Sequence, residues 1–325
     1  MSVTAVTSPQ AHLQAQSRWH PFEIVFWLSL LLPYVLFPDY LSLASQIAIT
    51  ALFALSLDLI LGYAGIVSLG HAAFFGVGAY TAGLLAKHYW TEPLSGLLLA
   101  GILSGIVGYA TSHIVVRFRH LALIMLTMGL GLLLHEAANS ASMQTGGADG
   151  LQGFRVPAVL GFKFDMFGRA AYAYSLAVLF ACFLICRRII HSPFGLALRG
   201  IRENATRMPA IGAPSLAHLR KAYTIAAVMA GIAGALLTQT TSTVSLDVLS
   251  FGRSADVLVI LILGGAGRLY GGIIGAIIYM VARDQFSGAN PQYWYFWIGL
   301  LLVAVVMFLP NGILGGLAKF SRPRS

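Results

Sequence analysis

Residues 191–221 read HSPFGLALRGIRENATRMPAIGAPSLAHLRK and form the one long polar stretch with strongly apolar sequence on both sides. Glu203 is its only acid, and its basic residues are Arg199, Arg202, Arg207, Arg220 and Lys221. Basic loops of membrane proteins stay in the cytoplasm. We therefore expect residues 191–221 to form a cytoplasmic loop, long enough to fold into an element that a soluble partner could grip.

The composition excludes an ordinary soluble protein. Of 325 residues, 58% are hydrophobic and only 10% are charged, whereas soluble domains carry about 25% charged residues. Lipid must therefore cover most of the surface. A net charge of +9 would suggest nucleic acid as the partner of a soluble protein. Here it fits positive charge at the cytoplasmic edges of the membrane, and we expect no nucleic-acid partner.

Ten apolar segments predict an all-α polytopic membrane protein. Their approximate bounds are 22–37, 41–61, 66–86, 94–116, 121–138, 170–186, 222–241, 255–263, 271–282 and 294–309. The eighth and ninth segments are shorter than the about 20 residues that a helix needs to cross a membrane. They form either two tilted short helices or a re-entrant pair. The prediction is therefore about ten transmembrane segments, or eight if residues 255–282 are re-entrant.

The distribution of Lys and Arg predicts the orientation. With the N-terminus in the cytoplasm and every segment crossing, 14 of the 20 Lys and Arg residues lie inside and 6 lie outside. This bias places both termini in the cytoplasm, with ten crossings or with eight. The predicted organisation is a cytoplasmic tail (1–21), a single transmembrane domain (22–310) and a basic cytoplasmic tail (311–325). Within the domain, an outer loop spans 139–169 and the cytoplasmic loop spans 187–221.

Glycine is concentrated where the second and third apolar segments meet. The stretch from Leu57 to Gly83 reads LDLILGYAGIVSLGHAAFFGVGAYTAG. Small residues let membrane helices pack closely, and glycines also allow a helix to break and turn its polar ends toward a cavity. Both roles, helix packing and a translocation path, stay open for Gly65, Ser68, Gly70, Gly76 and Gly78.

Asp58 and His71 are ionisable residues near or within apolar sequence. Such side chains are costly in lipid and should face a cavity or a partner. Asp58 lies about one turn from the inner end of its span, and its short side chain cannot reach far toward the surface. His71 follows Gly70 and is either a packing histidine with a satisfied ring or part of a proton relay. We favour the packing histidine.

A second glycine pattern follows the eighth segment. Gly267, Gly271 and Gly275 recur every four residues across Arg268, Leu269 and Tyr270. Two overlapping G-x-x-x-G steps place the three glycines on one helix face. The expected role is again close helix packing or part of a translocation path.

Several motifs of enzymes and metal sites are missing. The sequence contains no G-x-x-x-x-G-K-[ST] phosphate-binding loop, no H-E-x-x-H and no G-x-S-x-G. Cys182 and Cys186, the only cysteines, are four residues apart on one apolar segment, which predicts two buried reduced thiols on one helix face. We therefore expect no metal site, no cofactor or ATP bound by this chain, and no enzymatic activity.

The polar loop has its own local signals. Pro193 suits the first position of a helix, and residues 196–202 read as helix. Pro209 should end or kink the helix that precedes it, and residues 212–214 form a second break. One or two basic amphipathic helices are therefore expected on the cytoplasmic face. Resting on anionic lipid headgroups and docking a soluble motor both remain open as their role.

Five motifs in order resemble the LivM-type permease family of branched-chain amino acid ABC importers. The resemblance covers about residues 40–316. The motifs are GYAGIVSLGHAAFFGVGAYTAG (62–83), TGGADGLQG (145–153), RGIRENATRMPAIG (199–212), ILGGAGRLYGGIIGA (262–276) and FLPNGILG (308–315). The sequence departs from the family pattern at Ala205, where the family usually has an acid, and at Pro209.

The resemblance implies one subunit of a larger machine in a bacterial inner membrane. Its implied partners are a second, related permease in a heterodimer, two ATP-binding subunits and a periplasmic substrate-binding protein. The loop 187–221 would then be the coupling loop that fits an ATPase subunit, and the loop 139–169 would be periplasmic. The coupling role carries over onto Gly195, Arg199, Arg202, Glu203, Asn204, Arg207 and Gly212.

The function implied by the resemblance is import of branched-chain or related amino acids by alternating access, driven by ATP on the partner subunits. Relatives of this kind also carry amides, urea and aromatic acids, and these residues do not choose among them. The alternative from another class is a stand-alone secondary transporter that uses Asp58 and His71 as a proton relay. A sugar permease of the ribose-importer group and a membrane enzyme are weaker alternatives.

Overall fold

The computed structural model describes residues 21–88, 92–154, 168–309 and 312–320. Within these ranges the chain is helical, with an isolated bridge between Leu151 and Val244 and no β-strand. The all-α prediction is therefore confirmed for the described residues. The predicted tail before residue 21, residues 155–167 of the predicted outer loop and the basic tail beyond residue 320 lie outside them.

The helices follow one another with short connections. Their bounds are α1 Pro21–Ser29, α2 Leu32–Leu36, α3 Leu41–Asp58, α4 Ala72–His88, α5 Pro93–Val115, α6 His120–Ser140, α7 Ser142–Thr145, α8 Arg169–Ile190, α9 Pro193–Glu203, α10 Ser215–Thr241, α11 Phe251–Gly264, α12 Gly271–Ala289, α13 Trp294–Phe308 and α14 Gly312–Phe320. A π-helical turn, Leu59–Tyr63, continues α3, and short 3-10 turns include Pro209–Ile211 and Leu246–Leu249.

The described residues include six helical segments that are long and apolar enough to cross a membrane. They are Pro38–Tyr63, Pro93–Val115, His120–Ser140, Arg169–Ile190, Ser215–Thr241 and Trp294–Gly316. The chain is therefore a multi-pass membrane protein. With 17 and 14 residues, α4 and α11 are shorter than these segments. Crossing about ten times, with both termini in the cytoplasm, stays a prediction, as do the domain boundaries.

The buried centre of the bundle consists of α3 and α10, whereas most of α6 and α13 is exposed. Small residues bring α10 against its neighbours α4 and α5. A Cβ atom added to Gly78 would overlap the backbone of Gly231, and one added to Gly234 would overlap the carbonyl of Phe75. Close backbone contact of this kind holds membrane helices together where lipid gives no hydrophobic drive.

The third and seventh predicted segments begin at clearly different residues in the structure. The third apolar segment was expected over 66–86, but α4 begins only at Ala72. Residues 64–71 leave the helix because Gly65 has a φ of +75°, a conformation that suits glycine. The seventh segment was expected to begin at 222, but α10 begins at Ser215, so the polar loop is shorter and its last seven residues are helical.

The bundle has two ends. The α9 end carries α9, the π-helical turn after α3 and the turn between α11 and α12, as the contacts below establish. The opposite end carries the start of α3, the end of α10 and the start of α11. Between the ends, Cys182 and Cys186 lie buried on α8 as free thiols, which confirms that prediction.

Candidate functional site

The helix α9 begins with a clear capping signal. The Ser192 hydroxyl accepts a hydrogen bond from the Gly195 amide at 3.4 Å, and Pro193 occupies the first helical position. Gly195 is buried, and a Cβ atom there would overlap the carbonyl of Ile190 at the end of α8. The predicted helix over 196–202 is confirmed, and its start is packed directly on the preceding span.

The end of α9 is set by Asn204. Its side-chain Oδ1 accepts hydrogen bonds from the amides of Thr206 at 3.2 Å and Arg207 at 3.1 Å, so the chain turns after Glu203. The expectation that Pro209 ends or kinks this helix is wrong, because the helix has already ended at Glu203, six residues earlier. Pro209 instead begins the 3-10 turn that Gly212 closes with a φ of +85°.

The side chains of α9 divide into two faces. Leu198 and Ile201 are buried against the bundle. The polar residues at the end of the helix and after it are exposed: Arg202, Glu203, Asn204, Thr206 and Arg207. An amphipathic helix of this kind presents its polar face for binding by another molecule or for contact with lipid headgroups.

Two arginines connect α9 with the end of α3. The Arg202 guanidinium donates a hydrogen bond to the carbonyl of Gly62. The Arg199 guanidinium lies 5.4 Å from the centroid of the Tyr63 ring, a cation–π contact. Gly65 leaves room for the Arg202 side chain, because a Cβ atom on Gly65 would lie only 3.1 Å from Cγ of Arg202. α9 therefore rests on residues 62–65.

Asp58 connects the same point with the turn between α11 and α12. The side chain is only 1% exposed, and its Oδ1 accepts a hydrogen bond from the Gly267 amide at 2.7 Å. A Cβ atom on Gly62 would overlap both partners of this bond, and one on Gly267 would lie 2.9 Å from Nη1 of Arg202. A buried carboxylate is costly unless donors and positive charge compensate it. The Gly267 amide and Arg202 offset only part of this cost, and Oδ2 of Asp58 has no hydrogen-bond partner among the described residues.

We call this cluster the α9 junction: Asp58, Gly62, Gly65, Arg202 and Gly267. It joins three segments that are far apart in sequence, namely α9, the end of α3 and the turn after α11. Because the glycines leave no space for a methyl group at the centre, the three segments meet at backbone distance. A displacement of α9 must therefore shift α3 and the turn after α11, or break these contacts.

The predicted alignment of three glycines on one helix face is wrong. Gly267 lies in the turn between α11 and α12 with a φ of +79°, and α12 begins only at Gly271. Gly271 and Gly275 do pack closely, since added Cβ atoms would overlap the carbonyls of Gly265 and Ile260. The G-x-x-x-G spacing thus combines a turn glycine with two helix-packing glycines.

His71 is 0% exposed and lies inside the bundle, away from the α9 junction. Its ring stacks on Phe53 with centroids 5.5 Å apart, and its Nε2 lies 2.8 Å from the Ser56 hydroxyl. That hydroxyl donates its hydrogen to the carbonyl of Phe53 at 2.6 Å, so His71 Nε2 is the donor. Nδ1 has no hydrogen-bond partner among the described residues, so only one of the two ring nitrogens is satisfied. The stacking fits a packing histidine, and no hydrogen bond of the described residues joins His71 to Asp58.

The remaining predicted residues hold the break after α3 and the helix α4 in place. Added Cβ atoms on Gly70 and Gly76 would overlap the carbonyl of Thr127 and the side chain of Leu249. Ser68 is buried, and its hydroxyl has no hydrogen-bond partner among the described residues. The structure therefore brings Asp58, Gly65 and Gly267 together at the α9 junction and places Ser68, Gly70, His71, Gly76 and Gly78 elsewhere.

Sequence reasoning missed two members of this region, Gly62 and Tyr63. Gly62 follows Asp58 by four residues and therefore shares its helix face, which is the signal that could have found it. Tyr63 has no comparable signal, because its partner Arg199 is remote in sequence. Among the described residues no group of three or more His, Cys, Asp or Glu side chains could hold a metal ion.

Comparison with known proteins gives a consistent result. The model of the family described as branched-chain amino acid transport system / permease component matches residues 40–306. The chain is 27% identical to the high-affinity branched-chain amino acid transport system permease protein LivM of Salmonella typhimurium, over 96% of this chain and 80% of the relative.

Two further relatives widen the comparison. The probable branched-chain amino acid transport permease protein LivM of Methanocaldococcus jannaschii is 24% identical over 80% of this chain and 89% of its own length. The LivH permease protein of the Salmonella typhimurium high-affinity system is 21% identical over 82% of this chain and 91% of its own length. No solved structure matches the chain.

Proposed function

Because this chain belongs to the family of branched-chain amino acid transport system permease components, we propose that it is the membrane subunit of an ATP-driven ABC importer for branched-chain or related amino acids. In this proposal the α9 end faces the cytoplasm, both termini lie there, and the membrane is a bacterial inner membrane. The chain itself binds no ATP, and separate subunits hydrolyse it. Substrate crosses by alternating access between this chain and a second permease.

The observation that carries the proposal is the α9 junction. The exposed residues Glu203, Asn204 and Arg207 are free to contact an ATPase subunit, whereas Arg199 and Arg202 hold the end of α3. Arg202 also lies against Gly267, whose amide is bonded to Asp58. A force applied to the exposed face of α9 would therefore reach α3 and the turn after α11, as a transmission element requires.

The proposed partners rest on the relatives. LivM and LivH are both named as permease proteins of a high-affinity branched-chain amino acid transport system, and this chain resembles both. A heterodimer of two related permeases follows as the simplest assembly. Two ATP-binding subunits and a periplasmic substrate-binding protein complete the proposed importer.

A stand-alone secondary transporter is not favoured. It needs a proton relay through Asp58 and His71, but the first is bonded to the Gly267 amide and the second to Ser56. The secondary-transporter hypothesis also predicts that this chain takes up substrate alone. The relatives, in contrast, are permease proteins of transport systems that have more than one named permease.

The test is ATP-dependent uptake of radiolabelled leucine by vesicles that contain the whole set of subunits. We expect Arg202→Glu to abolish uptake while the complex stays assembled, since the change removes the bond to Gly62 and places a second carboxylate near Asp58. We expect Glu203→Arg to weaken attachment of the ATPase, because this side chain is exposed. Arg117→Glu, an exposed charge reversal on the turn between α5 and α6, is the matched control.

Two outcomes decide against the proposal. Uptake by this chain without any ATPase subunit would bring back the secondary transporter. Uptake unchanged in both variants would remove α9 as the transmission element, even if the rest of the importer assignment stood.

A further inference from the structure

The opposite end of the bundle contains a cavity of about 360 Å³, formed by α3, α11, α12 and the segment after α10. Its polar lining includes Gln46, Thr50, Arg253, Arg283, Asp284 and Ser287. Cavities of about 300 Å³ and more are large enough for small-molecule ligands. Gln46 precedes Gly62 by 16 residues, so the cavity lies roughly 25 Å along α3 from the α9 junction, at about 1.5 Å per residue.

Two guanidinium groups line this cavity, and neither has all its donors occupied. Arg253 donates to Asp247 at 3.3 Å, a carboxylate whose side chain is 67% exposed at the rim, and its Nε has no partner among the described residues. Arg283 lies 5.1 Å from the centroid of the Trp294 ring, and no carboxylate of the described residues forms an ion pair with it. Since each guanidinium carries five N–H donors, both can bind an anion.

One carboxylate on the cavity wall balances these charges. Asp284 lines the cavity directly, one residue after Arg283. Asp256 lies in a smaller adjoining pocket and already accepts a hydrogen bond from the Tyr279 hydroxyl at 2.9 Å. Asp284 is therefore the carboxylate placed to meet a positive group inside the cavity.

Thr241, Thr243 and Ser245 are further polar residues of the lining, and the rest of the wall is apolar. Its residues are Leu43, Ile49, Phe75, Leu237, Val248 and Met280. The cavity thus offers an anion site, a cation site and an apolar surface within one small volume.

We infer that this cavity binds a single zwitterionic α-amino acid with an apolar side chain on its way through the membrane. Arg253 and Arg283 bind the carboxylate, Asp284 binds the ammonium group, and Phe75 and Met280 contact the side chain. Paired guanidinium–carboxylate hydrogen bonds are among the stronger polar contacts in proteins. An inorganic anion matches the site less well, because Asp284 would repel it. The inference rests on the proposed function and gives it a binding site.

The first test needs no ATP and no substitution. The assembled complex in lipid nanodiscs is incubated with the diazirine analogue of leucine, irradiated and digested, and the labelled peptides are identified by mass spectrometry. We expect labels within residues 43–50, 245–256 or 280–287, and we expect excess leucine to remove them. Labels that leucine removes only from other segments of this chain, or from the partner permease alone, overturn the inference.

The second test compares substitutions inside and outside the cavity. Arg283→Gln and Asp284→Asn should each lower leucine uptake per ATP hydrolysed by about tenfold or more, because each removes one charged contact with the substrate. Asp284→Glu keeps the carboxylate and should retain more uptake than Asp284→Asn. Asp149→Asn is the matched control, an exposed carboxylate outside the cavity.

The possible failures are distinguishable. A wild-type complex that imports no amino acid with ATP overturns the proposed function, and the labelling experiment still decides whether the cavity binds leucine. A wild-type complex that imports leucine, with both cavity variants equal to the control, overturns the inference and leaves the proposed function standing. An equal loss of assembly in Asp284→Glu and Asp284→Asn shows a structural role and also overturns it.

Discussion

At the α9 end, a Cβ atom on Gly62 would overlap Asp58 and the Gly267 amide, whereas at the opposite end the same helices surround a cavity of about 360 Å³. Glycine and backbone groups make the first region, and long charged side chains line the second. α3, α11 and α12 contribute to both. A cavity of about 450 Å³ borders Gly65 and Arg202 at the α9 end as well, so the two ends differ in their contacts, which are glycine backbones at the first and side chains at the second.

This difference suggests a division of roles along the same helices. Close contact between glycine backbones leaves few alternative arrangements, so motion of α9 is passed on to α3 and α11 as rigid bodies. We expect the opposite end to change shape at lower cost, because side chains with rotatable bonds, and not glycine backbones, line its cavity. The predictions below test the contrast between a rigid end and an adaptable one.

The largest effect is expected for Gly62→Ala. The added methyl group overlaps Asp58 Oδ1 and the Gly267 nitrogen, and overpacking of this kind costs about 1–3 kcal/mol or more. We expect a strong fall in the apparent melting temperature of the detergent-solubilised complex. The matched control is Gly129→Ala on α6, where an added Cβ has nothing within 4 Å. Equal melting temperatures for the two variants would show that the α9 junction is not rigid.

A smaller loss is expected for Asp58→Ala. The change leaves the buried amide of Gly267 without its acceptor, which costs about 1–3 kcal/mol. Asp58→Asn retains an oxygen acceptor, so it should be the more stable of the two variants. The exposed Asp39→Ala is the control for loss of a carboxylate, and melting of all three is compared with wild type. Asn and Ala variants of equal stability would contradict the role of this hydrogen bond.

The contact between Arg199 and Tyr63 should have a modest effect. A cation–π contact at a partly exposed site contributes about 0.5–1 kcal/mol. A double-mutant cycle with Arg199→Ala and Tyr63→Leu measures this coupling from the four melting curves. If the stability losses of the two single variants simply add, Arg199 and Tyr63 are not coupled. Arg202 alone would then hold the end of α3 against α9.

The smallest effect on stability is expected at the opposite end. Ser245 is exposed on the wall of the cavity, so Ser245→Leu should change the free energy of unfolding by no more than about 0.5 kcal/mol. The bulkier side chain should still lower leucine uptake, since it narrows the cavity. A large loss of stability would mean that the opposite end is as tightly packed as the α9 end.

Local features of the α9 end were predictable from the sequence. Pro193 indicates the start of α9 through its backbone geometry. Away from the α9 end, the small size of Gly76 and Gly78 indicates close packing. In each case neighbouring residues carry the information. The all-α membrane fold was predictable for the same reason, because apolar runs are local patterns.

The junction itself was not predictable, because its contacts join distant segments. Asp58 accepts a hydrogen bond from Gly267, which lies 209 positions further along the chain. Neither local sequence contains a pattern that identifies the other as its partner. Gly267 and Gly271 are four residues apart in sequence whether they lie in one helix or on either side of a turn. The spacing therefore could not reveal that Gly267 has a positive φ. Arg220 and Lys221 likewise made the first turns of α10 look like loop.

The way three segments interlock at Gly62, Arg202 and Gly267 has a consequence for protein engineering. A chimera that receives only α9 from a relative will place a foreign side chain against backbone that has no space to adjust. The smallest exchange that keeps all contacting segments of the junction together comprises residues 58–65, 192–204 and 264–268. In the proposed importer, exchange of all three between LivM-like and LivH-like chains would transfer the choice of ATPase partner as a unit.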